Sequence, residues 1–320
     1  MSLHPYFRSY LDQLNPQIAE SVRRGFVATP ESARAALAGL NQYALPPVTI
    51  SRVFDSVIAE VPVRVYVPRP DIASDTIFFV HGGGHMAGDL DVYDYSARRT
   101  AASTGMVVVS VDYRRSPEAP YPAGLEDSYA VLSHINDVLS DIATTGVVHA
   151  VADSGGGAKV ASIAQRVAAG TWDSPVQRQV LLYPSLDYTM AGQSIKDYST
   201  GYFLSAERIA WYFDHYFAGS EDRAAASPLF GPFNGTMPET LVIAAEFDPL
   251  VSEARQYVES LQNAGTAAHL LVAPGLIHAF AFFESEIPDE IETLYSVMGD
   301  FLRHGALPLQ GHPWMSDSTN

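Results

Sequence analysis

The chain contains no cysteine, which removes thiol nucleophiles, disulfides and cysteine-built zinc or iron–sulfur sites from consideration. It is also short of positive charge. Nineteen lysines and arginines stand against 36 aspartates and glutamates, for a formal net charge of −17. Such a surface repels phosphates, so nucleic acid and anionic membranes are excluded as partners and anionic substrates are disfavoured. No run of 18 apolar residues occurs, and residues 1–30 hold no uninterrupted apolar stretch of the kind a secretory leader needs. Internal repeats and low-complexity segments are missing too. What remains, 320 residues of which 47% are hydrophobic and 17% charged, reads as a cytoplasmic globular protein able to bury a substantial core.

Strand-like and helix-like segments alternate through most of the chain. Residues 1–47 read as peripheral helices, one around 16–26 and one over 32–43, with Thr29, Pro30 and Glu31 as N-cap, N1 and N2 of the second. Residues 48–67 read as an antiparallel hairpin at a sheet edge, in which Val61, Val63, Val65 and Val67 alternate with other side chains. Strands are predicted at 75–81, 105–113, 147–151, 176–185, 239–247 and 267–274, and helices at 121–139, 158–169, 252–264 and 287–303. This α/β alternation implies right-handed crossovers and a mostly parallel central sheet flanked by helices. Between Leu186 and Pro238 the alternation stops. The insertion carries an aromatic-rich helix at 206–217 whose rings are read first as core, although a doubly wound sheet places lids and pocket walls above the carboxyl ends of its strands. The tail after Pro308 reads as frayed.

The chemistry centres on residues 146–169, a strand, a sharp turn and a helix with Ser154 at the junction. A serine there is held clear of the backbone, with the next N–H and the helix N-terminus aimed where negative charge develops. Gly155, Gly156 and Gly157 let the helix start close against the strand. A serine hydroxyl is a weak nucleophile unless a base takes its proton and a third group orients that base. Of the ten histidines, only His278 lies in a loop after the last strand, and Asp248 sits at the turn after strand 239–247, ahead of its rivals Glu246 and Glu253. The chain order Ser154, Asp248, His278 is that of the α/β-hydrolases. His81-Gly82-Gly83-Gly84 follows a strand and presents main-chain N–H groups for an oxyanion, and Gly155 adds another.

Five stretches together, HGGGHMAGD (81–89), DYRRSPEAPYPA (112–123), ADSGGG (152–157), AEFDPLVSE (245–253) and PGLIHAF (274–280), resemble the hormone-sensitive-lipase-like serine esterases of the α/β-hydrolase fold, and within them the bacterial acetyl esterases. The resemblance implies a cofactor-free and metal-free hydrolase of small-molecule esters with short acyl groups, acetyl to about hexanoyl. It implies one α/β-hydrolase domain over 1–320 with a helical cap from about 1–47 and 187–237, and a homodimer. By motif position Ser154 is the nucleophile, His278 the base, Asp248 its orienting acid, and Gly83, Gly84 and Gly155 the oxyanion donors. Four positions in three of these stretches depart from the family pattern. Ala152 replaces a glycine two residues before the nucleophile, where its methyl is expected to crowd the turn and Gly155, in the usual alanine position, to relieve it; His85 replaces an aromatic, and Ser252 an acid. An amidase or formamidase with the same machinery, and a ligand-binding protein on an inactive hydrolase fold, are the alternatives.

Overall fold

A computed structural model of the chain describes residues 2–305 and 312–314. Two helices come first, α1 (Pro5–Arg23) and α2 (Pro30–Gly39), followed by the hairpin of β1 (Arg52–Ile58) and β2 (Val61–Val67). The alternating part runs β3 (Ser74–Val80), α3 (Asp94–Thr104), β4 (Val107–Val111), α4 (Ala123–Ser133), β5 (Thr144–Asp153), α5 (Ser154–Ala168) and β6 (Val176–Leu182). Next come α6 (Gln193–Asp197), α7 (Ala206–Tyr216) and α8 (Arg223–Ala226). The chain then returns to the sheet through β7 (Glu239–Phe247), α9 (Val251–Asn263), β8 (Ala268–Ile277) and α10 (Pro288–His304).

The strands form one eight-stranded sheet in the order β1-β2-β4-β3-β5-β6-β7-β8. It is antiparallel where β2 meets β1 and β4, and parallel across all the other pairs. Helices cover both faces, so successive strand residues are buried alternately above and below. Ile77 and Phe79 of β3 pack in one cluster with α3 and α10, whereas Phe78 and Val80 pack in another with α4, α5 and α9. The chain steps from β3 out to β4 and then returns to β5 on the other side of β3. That reversal opens a crevice at the carboxyl ends of β3 and β5, where open α/β sheets bind ligands.

The α/β alternation and mostly parallel sheet read from the sequence are the architecture the chain adopts, and the edge hairpin pairs in register from Arg52 opposite Val67 to Ile58 opposite Val61. Thr29 caps α2 through its hydroxyl, which accepts the Ser32 N–H at 3.2 Å. Several elements differ from expectation. The α3 helix was not predicted, because its buried positions Tyr95, Ala97, Thr100, Ala101 and Thr104 are mostly small or polar and leave no apolar period to read. The α1 helix begins at Pro5 and continues through Pro16, well before residue 16. The segment predicted as one helix over 121–139 splits at His134 into α4 and a 3₁₀ turn, Ile135–Val138. The last strand continues past Pro274 to Ile277, with a register shift opposite β7 before Phe247 pairs with Ile277. In the tail expected to fray, Trp314 is buried and its carbonyl accepts the Val272 N–H at 2.9 Å; residues 309–311 and 315–320 lie outside the described residues. Among the described residues no helix is long and apolar enough to cross a membrane.

Candidate active site

Ser154 is the first residue of α5, directly after the last residue of β5. Its φ is +46°, a left-handed conformation that costs a non-glycine residue about 1–3 kcal/mol and persists only where its surroundings enforce it. Close packing of α5 does so. A Cβ on Gly156 would lie 2.2 Å from the Val80 carbonyl oxygen, and one on Gly157 would lie 2.7 Å from Pro184 Cβ. The glycines therefore belong to the helix, which starts at Ser154 and not at Ala158. Seating the helix against β3 outweighs the roughly 0.5–1 kcal/mol that each helical glycine costs relative to alanine.

Asp248 lies just beyond β7 and His278 just beyond β8, so the parallel pairing of these strands brings their loops together. His278 Nδ1 is 2.8 Å from Asp248 Oδ2, and His278 Nε2 is 3.1 Å from Ser154 Oγ. A carboxylate only accepts, so Nδ1 carries the proton toward Asp248 and, in the neutral ring, Nε2 is left to accept from the serine. The other Asp248 oxygen accepts the Leu250 N–H at 2.9 Å. Both side chains are buried, Asp248 at 1% and His278 at 6% exposure, and the Tyr183 ring packs edge-on against the imidazole at 4.9 Å. The rival acids are engaged elsewhere. Glu246 accepts the Gly275 N–H at 2.7 Å, and Glu253, its carboxyl pushed well up by burial, accepts the Leu186 N–H at 2.6 Å.

The glycine loop after β3 lies beside Ser154 because β3 and β5 are neighbours in the sheet. Gly83 and Gly84 have φ of +99° and +61° and border the same cavity as Ser154 and Gly155. Asp153, which the sequence reading passed over, ties loop and elbow together. Its Oδ1 accepts the Gly82 N–H at 2.7 Å and its Oδ2 accepts the Tyr93 hydroxyl at 3.0 Å. Burial pushes this carboxyl up to about 6, against the lowering effect of those same bonds. Its only sequence signal was its place directly before the serine. Its partners are set by strand adjacency across 60 or more residues.

A cavity of about 480 Å³ opens over these groups. Its walls include Tyr10, Leu14 and Ile18 of α1, Ala33 and Leu37 of α2, and Ile209, Tyr212 and Phe213 of α7. The aromatics of α7 divide. Phe213, Tyr216 and Phe217 are buried with Tyr188 and Ile209 as core, whereas Tyr212 lies over the glycine loop, its ring atoms 2.6–2.8 Å from where a Cβ on Gly84 would stand. Among the described residues no group of three His, Asp or Glu side chains is placed to hold a metal ion.

A family model described as alpha/beta hydrolase fold matches residues 77–282, the span from β3 to just past His278. The chain belongs to the hormone-sensitive-lipase-like esterases of the α/β-hydrolase fold. It is 35% identical over 229 residues to the carboxylic ester hydrolase LipN of Mycobacterium tuberculosis, covering 69% of this chain and 61% of that one. It is 30% identical over 249 residues to the ethyl acetate hydrolase of Pseudomonas putida, covering 76% and 78%. Among solved structures, the hyperthermophilic esterase of the archaeon Pyrobaculum calidifontis superposes with a TM-score of 0.84 at 31% identity, over 95% of this chain and 98% of that one.

The departures of this esterase from the family pattern find structural settings. Ala152 pairs with Val80 and Leu181 in the sheet and is buried in the apolar cluster shared with α5, so its methyl fills core instead of crowding the turn. Gly155 accordingly relieves nothing at Ala152; it faces His85. Ser252 joins α9 to α6, its hydroxyl accepting the Ser194 N–H at 2.9 Å while Ser194 Oγ accepts the Ser252 N–H at 3.0 Å.

Proposed function

We propose that the chain hydrolyses short-chain carboxylic esters through an acyl-serine formed on Ser154. The observation that carries this reading is the unbroken sequence of contacts from Asp248 through His278 to Ser154, ending in a cavity bordered by Gly83, Gly84 and Gly155. As Ser154 Oγ attacks the ester carbonyl, His278 Nε2 takes its proton, and Asp248 stabilises the imidazolium that forms. The carbonyl oxygen, now anionic, accepts from the N–H groups of Gly83, Gly84 and Gly155, aided by the N-terminus of α5. His278 returns the proton to the leaving alkoxide, which departs as the alcohol. It then deprotonates a water that attacks the acyl-serine, releasing the acid and restoring Ser154.

The preference for acetyl to about hexanoyl groups is supported by the size and walls of the cavity. About 480 Å³ is in the lower half of the roughly 300–1,000 Å³ range of small-molecule sites, and it must hold both acyl and alcohol parts. Residues 1–47 and 187–237 act as the cap in this reading, since α1, α2 and α7 supply the walls above the serine. The ethyl acetate activity named for the P. putida relative fits the same size class. The test has two parts. An organophosphate probe is expected to label the Ser154 peptide stoichiometrically by mass spectrometry. A p-nitrophenyl ester series from acetate to palmitate is expected to give kcat/KM that rises to butyrate or hexanoate and then falls. Label on another residue refutes the mechanism, and palmitate outpacing butyrate refutes the closed cavity.

A further inference from the structure

One of only two lysines in the chain, Lys159, is buried at 1% exposure on α5, on the helix that begins with Ser154. Among the described residues no carboxylate lies within ion-pair distance of it, an arrangement charged side chains rarely adopt. Its Nζ instead lies 2.8 Å from His85 Nδ1 and 3.9 Å above the Tyr113 ring. His85 is also buried, stacked on Tyr216 at 3.7 Å and 6°, with its Nε2 3.3 Å from the Tyr188 hydroxyl.

His85 directly follows the glycines of the oxyanion loop and has a left-handed φ of +64°. Its carbonyl is held by the Ser116 N–H at 3.0 Å. A Cβ on Gly155 would lie 3.1 Å from the His85 backbone nitrogen and 3.4 Å from His85 Nδ1, the same ring atom that meets Lys159. Two of the departures from the family pattern are thereby coupled: an alanine at 155 would press on the imidazole, and glycine makes room for it. Lys159 completes the set.

We propose that Lys159 and His85 are a buried positioning pair behind the oxyanion donors, in which the ammonium fixes the His85 ring, and with it the left-handed end of the glycine loop, and sets positive charge beside Gly155. The inference rests on the acyl-serine reading. The ammonium donates to His85 Nδ1, so the proton of the neutral ring is on Nε2, facing Tyr188. A fixed charge buried in the protein acts strongly on a developing oxyanion, because it has little reorganising to do during the reaction. The groups around the Lys159–His85 pair are His81 from the loop after β3, Tyr113 after β4, Asp127 of α4, Asp153 of β5 and Tyr216 of α7, with Tyr188 after β6 on the His85 side. Burial pushes His81 down to about 3 and His85 well below the usual imidazole range. Burial also pushes Lys159 down to about 7, while Asp127 and Asp153 act to raise it. Its charge therefore declines through neutrality, where Asp153, at about 6, is largely ionised.

The test is kcat and KM for p-nitrophenyl butyrate from pH 6 to 10, with thermal unfolding, for wild type, Lys159→Met and Ser154→Ala. Lys159→Met is expected to lose roughly tenfold in kcat, less than the loss of a direct oxyanion donor, with KM within about twofold of wild type. Wild-type kcat is expected to decline on the alkaline side as Lys159 discharges, and this limb is expected to vanish in Lys159→Met. The variant's melting temperature establishes only that it is folded at the assay temperature, because removing a buried charge and leaving His85 Nδ1 without its donor act on stability in opposite directions; the kcat loss at nearly constant KM and the loss of the alkaline limb are what a purely structural lysine would not produce. Unchanged kcat in Lys159→Met, persistence of the alkaline limb in it, or absence of the limb from wild type overturns the inference. Activity in Ser154→Ala overturns the acyl-serine reading with it, whereas an inactive Ser154→Ala beside an unaltered Lys159→Met overturns this inference alone.

Discussion

The floor and the roof of the cavity are held by different forces. On the floor, at the carboxyl ends of β3, β5, β7 and β8, Asp153, Asp248 and His278 are buried and tied to named partners at 2.7–3.1 Å. The roof, from α1, α2 and α7, touches the cavity mostly through apolar and aromatic side chains, with Ser32 and Arg208 the polar exceptions, and at its rim Ile18 and Phe26 remain 48% and 52% exposed. Directional bonds in a low-dielectric interior hold atoms in one arrangement, while apolar contact is non-directional and accepts changes of shape. On the proposed mechanism, this contrast gives the chemistry to the floor and the choice of ester to the roof.

The strongest break of that contrast comes from the floor. Ser154→Ala is expected to lower kcat by about 10⁶ and Asp248→Asn by about 10⁴, as in serine hydrolases generally, both with the circular dichroism spectrum and melting transition of the folded protein retained. A fall in KM specificity without loss of kcat would reverse the assignment.

Asp153→Asn probes what the floor's polarity costs. Its folded carboxyl, at about 6, is above the unfolded value of about 3.9, so the folded state binds the extra proton between these values. Stability from this group is present below about pH 4 and is lost as pH rises through about 6, by at most about 3 kcal/mol. Asparagine keeps an acceptor for the Gly82 N–H without the charge. Urea unfolding is expected to show the variant gaining stability over wild type as pH rises from 4 to 8, and an equal difference at both ends would contradict this account.

On the roof, Tyr212→Ala is expected to shift the optimum in the p-nitrophenyl series toward longer acyl groups while leaving kcat for acetate within a few-fold. Each methylene newly accommodated is worth about 0.8 kcal/mol, close to a fourfold gain in kcat/KM. An unchanged series would place the acyl group away from α7. The smallest effect is expected at Ala152, where glycine should cost about 1 kcal/mol in urea unfolding through lost packing and added backbone freedom, with kcat within about twofold. A rise in kcat would restore the view that the methyl crowds the turn.

Much of the floor was legible because strand-to-loop transitions mark its residues. Val147 to Val151 ahead of Ser154, Glu239 to Phe247 leading into Asp248 and Ala267 to Pro274 ahead of His278 each announce a strand in local composition. The α3 helix was not legible, since its buried face of alanines and threonines carries no apolar period. Nor were Asp153, Lys159 and His85 legible as a group. His85 is marked by its departure from the family pattern and Asp153 by its place before the serine, but nothing local relates either to Lys159, because their contacts join segments 60 to 74 residues apart.

By itself, the sequence determined the alternation of strands and helices, the positions of the turns that carry Ser154, Asp248 and His278, and the absence of thiol chemistry, because these follow from local periodicity, turn chemistry and composition. Only the tertiary structure decided that the three turns converge within hydrogen-bonding reach, that Ala152 belongs to the core, that Tyr212 and not its neighbours lies over the glycine loop, and that a lysine is buried behind it. Those outcomes depend on strand order and close packing across the sheet, which bring together residues that no local pattern relates.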